Sequence, residues 1–154
     1  MLATDVLRNN HRSILELFDR YRRAGRSDYG KKKEPFDQIK RAVRMHLSLE
    51  EEMLYPAMIR TPSPEAGRRL DGVLREHLHL DDLLTTLSGL RPGDRQQLDR
   101  GMAELRRKVE EHLALEQDGP YEEIRRALKK EALEKLGARI RARIDLLSRV
   151  AAAS

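Results

Sequence analysis

The chain is expected to be all-α, an antiparallel up-down four-helix bundle with an additional C-terminal helix. Three observations lead there. Apolar residues recur at three- and four-residue spacing over four long stretches. Clusters of Gly, Pro and Ser punctuate those stretches. The composition joins 39% hydrophobic and 37% charged residues with only 4% aromatics, which suits amphipathic helices with densely charged outer faces and suits a β-sandwich poorly. A chain of 154 residues has the length for one core. A single domain is therefore expected over 1–154, with the bundle over about 3–118 and the helical extension over about 120–150.

Thr4 or Asp5 is placed to cap the first helix, whose apolar stripe is Val6, Leu7, Ile14, Leu15, Leu17 and Phe18. Gly25 to Lys33 reads as the first loop. The second helix is expected from about Pro35, which a first turn tolerates, through Phe36, Ile39, Val43, Leu47 and Met53 to the Thr61-Pro-Ser-Pro64 punctuation. Pro64 can open the third, with Leu70, Val73, Leu74, Leu80, Leu83, Leu84 and Leu87 inward. Gly89 and Arg91-Pro-Gly-Asp94 stop it, and Asp94 offers a cap for the fourth. That helix carries Leu98, Met102, Leu105, Val109, Leu113 and Leu115 until Gly119-Pro120 interrupts it. A last helical stretch runs from Tyr121 to about Val150, with Gly137 the expected point of bending. Four long helices joined by short loops pack up and down.

The net charge of +5 hides 26 acidic residues interspersed with the basic ones. With few aromatics to stack on bases and no reader motif, no nucleic-acid partner is expected. Cysteine is absent, which removes disulfides, thiolate nucleophiles and thiolate-bound clusters. Any metal must be held by nitrogen and oxygen. Met1-Leu-Ala-Thr-Asp-Val has no basic region leading into an apolar stretch, and no apolar run is long enough to span a bilayer. No membrane partner is expected, and the location expected is cytoplasmic.

The chemistry lies in a repeat. His46-Leu-Ser-Leu-Glu50 recurs as His112-Leu-Ala-Leu-Glu116, each copy followed at the same offset by a tyrosine, Tyr55 and Tyr121. Four residues turn an α-helix through about 400°, so each imidazole and carboxylate share a face. His11 and His77 fall near the middles of the other two helices, and Asp81 stands four residues after His77. Residues near helix middles meet at one level of an antiparallel bundle, so four histidines and three carboxylates can converge in the core. A cation would remove the cost of burying the carboxylates as ions. Imidazole and carboxylate without thiolate suit iron, manganese or zinc. More than four ligands suit a two-metal iron or manganese site better than closed tetrahedral zinc.

Neighbouring residues are assigned by angle. His79 points about 200° from His77 and reads as solvent-facing. Asp81 has three open roles: binding directly, bridging, or orienting an imidazole. Glu51 and Glu52 either support the ligands or are simply exposed. Tyr55 and Tyr121, about 140° round from their glutamates, read as packing residues near the bundle end. The positions one turn past the glutamates, Leu54 and Pro120, have no metal-binding side chain.

The order of His11, His46-x-x-x-Glu50 with Tyr55-Pro56, Glu76-His77 and His112-x-x-x-Glu116 resembles the hemerythrin-like (HHE cation-binding) proteins. So do the opening Asp5-Val-Leu-x-x-x-His11 and the closing Leu136-Gly-Ala-Arg-Ile-x-x-Arg143. The resemblance implies a four-helix bundle holding two iron ions as an oxo- or hydroxo-bridged pair. It implies His11, His46, Glu50, His77, His112 and Glu116 as ligands, with Glu50 and Glu116 bridging. Oxygen-carrying hemerythrins have a second histidine where Asp81 stands, a departure that argues against reversible oxygen carriage. Gly119-Pro120-Tyr121-Glu122 also departs from the usual Tyr/Phe-Pro pair. The function expected is binding or consumption of a small diatomic or peroxide ligand, with peroxide disproportionation as the leading reaction. Non-catalytic O2 or NO binding, or iron holding, is the alternative. A third reading has a metal-free bundle interacting through the Arg-rich C-terminal face around Arg125, Arg126, Arg139 and Arg143.

Overall fold

The structure, a computed structural model, describes residues 1–24, 29–60 and 64–153. The all-α expectation holds: the described residues form helices and no strand. The long helices of the bundle are α1 (Ala3–Arg23), α2 (Tyr29–Leu49), α4 (Pro64–Ser88) and α5 (Arg95–Asp118). A π-helical turn over Glu50–Leu54 joins α2 to the short α3 (Tyr55–Ile59), and a 3-10 turn over Pro92–Asp94 leads into α5. After the bundle come α6 (Pro120–Ala127) and α7 (Lys130–Ala153), and α7 packs along α1 and α2.

Burial follows the helical stripes and divides the interior in two. One cluster joins Ile14 and Phe18 of α1, Ile39 and Val43 of α2, Leu80 and Leu84 of α4, and Leu105 and Val109 of α5. The other joins Val6 and Leu7 with Leu54, Tyr55, Leu70, Tyr121, Ile124 and Ile140. The start of α1 therefore lies beside the end of α2 and the start of α4 beside the end of α5, the antiparallel arrangement of an up-down bundle. Between the clusters lies a layer of six buried polar side chains: His11, His46, Glu50, His77, His112 and Glu116.

Several boundaries differ from expectation. α2 begins at Tyr29, so Pro35 lies inside the helix and not in its first turn. The basic run read as loop is drawn inward because Lys32 is buried, with Nζ 2.5 Å from Asp99 Oδ1, and Asp99 also accepts from the Tyr21 hydroxyl at 2.8 Å. Part of the expected first loop and of the Thr61-Pro-Ser-Pro64 turn, residues 25–28 and 61–63, lies outside the described residues.

Thr4 and Asp5 do not cap α1, whose N-cap is Leu2. Both instead accept hydrogen bonds from the Arg125 guanidinium, at 2.8 and 3.0 Å, tying α6 to α1. Asp94 stands at the N-cap of α5 as expected, but its side chain makes no capping bond there and instead accepts from the Arg91 backbone N–H at 2.9 Å, closing its own turn. The last stretch splits at Leu128, which is extended, and not at Gly137. Gly137 serves packing, since a Cβ there would press on the backbone of Met1 and Leu2 and lie 3.0 Å from Ala3 N. Leu74 and Leu115, assigned inward, are exposed. No helix among the described residues is long and apolar enough to cross a membrane.

Candidate metal centre

Each bundle helix contributes to the polar layer at its middle or inner end. α1 supplies His11, α4 His77, α2 His46 with Glu50 following in the π turn, and α5 both His112 and Glu116. Two overlapping groups result: His11, His46, Glu50 and Glu116 in one, and Glu50, His77, His112 and Glu116 in the other. In each group the potential ligand atoms lie within 4.8 Å of one another. Both groups contain both glutamates.

In the first half, His11 Nε2 and His46 Nε2 face each other at 2.8 Å, and Glu116 Oε2 lies 3.6 Å from His11 and 3.8 Å from His46. In the second, His77 Nε2 and His112 Nε2 face each other at 3.1 Å. There Glu116 presents its other oxygen, Oε1, 3.7 Å from His77 Nε2 and in close contact with His112 Nε2. Glu50 Oε1 lies 2.9 Å from His46 Nε2 and 3.7 Å from His77 Nε2. The histidine pairs meet edge to face in both halves, at interplanar angles of 71° and 74°. The halves are thus related by an approximate two-fold that exchanges His11 with His77, His46 with His112 and Glu50 with Glu116.

Tyr55 and Tyr121 obey the same two-fold, and here the reading by angle is corrected. The Tyr121 hydroxyl lies 2.9 Å from His11 Nε2 and donates to Glu50 Oε2 at 3.1 Å. The Tyr55 hydroxyl lies 3.2 Å from His77 Nε2 and donates to Glu116 Oε1 at 3.4 Å. Both rings are buried. For Tyr55 the cause is the π turn, in which the Tyr55 N–H bonds the Glu50 carbonyl. Such i→i+5 closure returns a residue five positions on to the starting face, which an α-helix does not do. For Tyr121 the break at Gly119 (φ −118°, ψ −97°) and the new helix at Pro120 re-aim the ring. The equal offset of the two tyrosines in the repeat was the signal that pointed to them.

The outward imidazole nitrogens are held unevenly. His77 Nδ1 lies 2.9 Å from Glu51 Oε1, His112 Nδ1 2.6 Å from Glu76 Oε2, and His46 Nδ1 2.9 Å from Asn10 Oδ1. His11 Nδ1 is buried with no hydrogen-bond partner among the described residues. Of the sequence candidates, the structure does not bring Asp81 to the centre. Its carboxylate accepts from Arg44 Nε at 2.9 Å on the surface, with the side chain 49% exposed. The reason is direction: one turn past His77, α4 has reached the level of the apolar cluster holding Leu80 and Leu84. His79 is exposed, in agreement with its angle from His77. Glu52 is exposed and pairs with Arg143 of α7.

Packing in this buried layer shifts the protonation of His11, His46, His112 and Glu116. Burial, then the neighbouring His46, lowers His11 to about 2 and keeps it neutral. Burial would lower His46 as well, but Glu50 and Glu116 outweigh it and raise His46 to about 9. Against the same burial, Glu116 and Glu50 raise His112 to about 11. Burial also opposes ionisation of Glu116, yet His112, His46 and His77 hold its carboxyl well below the usual range. Burial, then Glu50 and Glu116, pushes both tyrosine hydroxyls up, so they stay protonated and can donate.

The donor set fits a pair of metal ions. Glu50 Oε1 and Glu116 Oε2 are buried without a well-aligned hydrogen bond, and the 2.9 Å approach of His46 to Glu50 Oε1 is an ion pair whose direction is wrong for one. Orphaned buried carboxylate oxygens are costly unless a cation faces them. Paired Nε2 atoms aimed at a common point supply the rest of such a site, and oxygen and nitrogen donors without thiolate suit iron, manganese or zinc. No curated protein and no solved structure matches this chain. A family model, the hemerythrin HHE cation binding domain, matches residues 2–124, which span the four bundle helices, all six of these side chains and both tyrosines. The chain therefore belongs to the hemerythrin HHE cation-binding family.

Proposed function

We propose that this protein is a non-haem diiron protein that binds or consumes small oxidants (O2, peroxide or NO), with peroxide disproportionation as its turnover reaction. The observation that supports it best is the sharing of Glu50 and Glu116 by two groups with equal sets of histidines. Shared carboxylates suit two ions held close together, and such a pair would supply the two-electron steps by which one peroxide is oxidised and another reduced. The protein's own part is to hold, orient and exclude. The glutamates span the halves, the apolar clusters above and below keep bulk water out, and the Tyr55 and Tyr121 hydroxyls provide one hydrogen-bond donor on each side. With Asp81 outside the centre, its carboxylate has no part in this reading.

The test is metal quantification with visible spectroscopy on iron-loaded protein, followed by peroxide addition. About two irons per chain, with oxygen released over many turnovers, is the expected result. A stoichiometric, reversible adduct would instead make the protein a binding module. No bound metal after iron supplementation, with unchanged stability, would make it a metal-free bundle. Because Glu50 and Glu116 serve both halves, Glu50→Ala and Glu116→Ala should each abolish binding of the pair, whereas exposed His79→Ala should retain it.

A further inference from the structure

The two-fold that relates the halves at their centre fails at their rims. Glu76, the residue before His77, occupies the place that Asn10, the residue before His11, occupies in the other half. Each of the two accepts from the partner histidine's Nδ1, at His112 and His46 respectively. Glu51, the residue after Glu50, corresponds to Gln117, the residue after Glu116. Glu51 reaches His77 Nδ1, whereas Gln117 is exposed and His11 Nδ1 goes without a partner. Where the His77–His112 half has two carboxylates, the His11–His46 half has two amides.

The difference is one of charge, and it acts on the ligand atoms. A carboxylate accepting from Nδ1–H makes a charge-assisted hydrogen bond, fixes the tautomer with its lone pair on Nε2, and makes that nitrogen a better donor to a metal. A neutral amide does so less, and an unpartnered N–H does not. The surroundings act in the same sense. A cleft between α4 and α5 touches His112 and is lined by Glu76 and Glu111 against Lys108. A second, between α2 and α4, touches His77 and is lined by Glu51 and Asp81 against Arg44. In each, two carboxylates outnumber one cation. An approaching dication therefore meets negative charge at the mouths of the His77–His112 half.

We infer that the two metal positions are inequivalent and fill in order, the His77–His112 position first and more tightly, with Glu51 and Glu76 as the positioning residues that set the order. The inference rests on the metal-centre reading above. Supporting carboxylates of this kind are typically worth about 10–100-fold in metal affinity. Glu51 and Glu76 are 45% and 40% exposed at their side chains, so solvent screening places the effect toward the lower end.

The experiment is a calorimetric titration of the metal-free protein with Co2+ under exclusion of O2, where the probe stays divalent. Unequal steps alone do not decide, because a first ion repels a second across shared carboxylates. The variants do. Glu51→Gln and Glu76→Gln should each weaken the first, tight step by about 10-fold or more and leave the second in place. Asn10→Ala should weaken only the second. Asn10→Glu with Gln117→Glu, which gives the His11–His46 half the carboxylates it lacks, should bring the two steps together. If the halves were equivalent, the first ion would move to the intact half of Glu51→Gln and only the second step would weaken, which overturns the inference. No Co2+ binding by the unaltered protein would overturn the metal-centre reading itself, and two ions with the wrong variant pattern would overturn the order alone.

Discussion

Tyr121 and Tyr55 each tie one imidazole to one carboxylate that belongs to the opposite copy of the repeat, so each hydroxyl stitches the halves together. Removing it leaves a buried nitrogen and a buried oxygen short of a partner. Tyr121→Phe should therefore destabilise the metal-free protein by roughly 1–3 kcal/mol, read as a lower urea midpoint at unchanged slope. Tyr55→Phe should cost less, since its bonds are longer, and equal losses would count against hydrogen bonding as the cause. These hydroxyls show where reading the sequence by angle reaches its limit. The histidines and glutamates were legible because i to i+4 spacing keeps its meaning along a regular helix. The tyrosines were misplaced because a π turn and a glycine break reset the angle, and neither leaves a periodic trace. Asp81 was misplaced for another reason: spacing gives its angle to His77 but not the level at which the neighbouring helices hold their own charges.

At the scale of elements, the four bundle helices were legible from their stripes, while their ends were not. Helix ends depend on tertiary partners: Lys32 is drawn in by Asp99, and Thr4 and Asp5 are taken by Arg125 of an element more than a hundred residues away. Gly137 makes the same point about α7. Its position within an amphipathic stretch reads as a weak place in a helix, yet the helix continues through it and the chain start packs against the bare Cα. Backbone atoms of Met1, Leu2 and Ala3 line that contact, so little can yield to a side chain. Gly137→Ala gains helix propensity of about 1 kcal/mol but overpacks a backbone contact, a penalty of about 1–3 kcal/mol. A net loss of thermal stability is expected. A rise in melting temperature would show that the close approach relaxes without cost.

At the scale of the molecule, the polar layer divides the apolar interior, so protons and metal ions compete for the groups that join its two clusters. Without metal, the protons raised onto His46 and His112 offset the buried carboxylates. Their pKa values of about 9 and 11 lie above the ordinary 6.5, so the folded state binds these protons more tightly than the unfolded chain does. That contribution is fully present below pH 6.5 and is lost as pH rises through 9 for His46 and 11 for His112. His11, lowered to about 2, has the opposite sign: its contribution is present above 6.5 and is lost as pH falls toward 2. Glu116 acts in the same direction: its carboxyl is held well below the ordinary 4.5, so its contribution is present above 4.5 and is lost as pH falls below it. The metal-free protein should therefore lose stability on both sides, falling from pH 6.5 to pH 9 on the alkaline side. The proposed pair of cations would take the place of the His46 and His112 protons, so loading at pH 7 should release about two protons per pair of ions, and affinity should rise between pH 7 and pH 9. In the loaded protein the alkaline decline should disappear, because no such protons remain to be lost. Urea midpoints at pH 6, 7.5 and 9, with and without chelator, check this directly: parallel declines in both samples would place the pH-sensitive groups outside the centre.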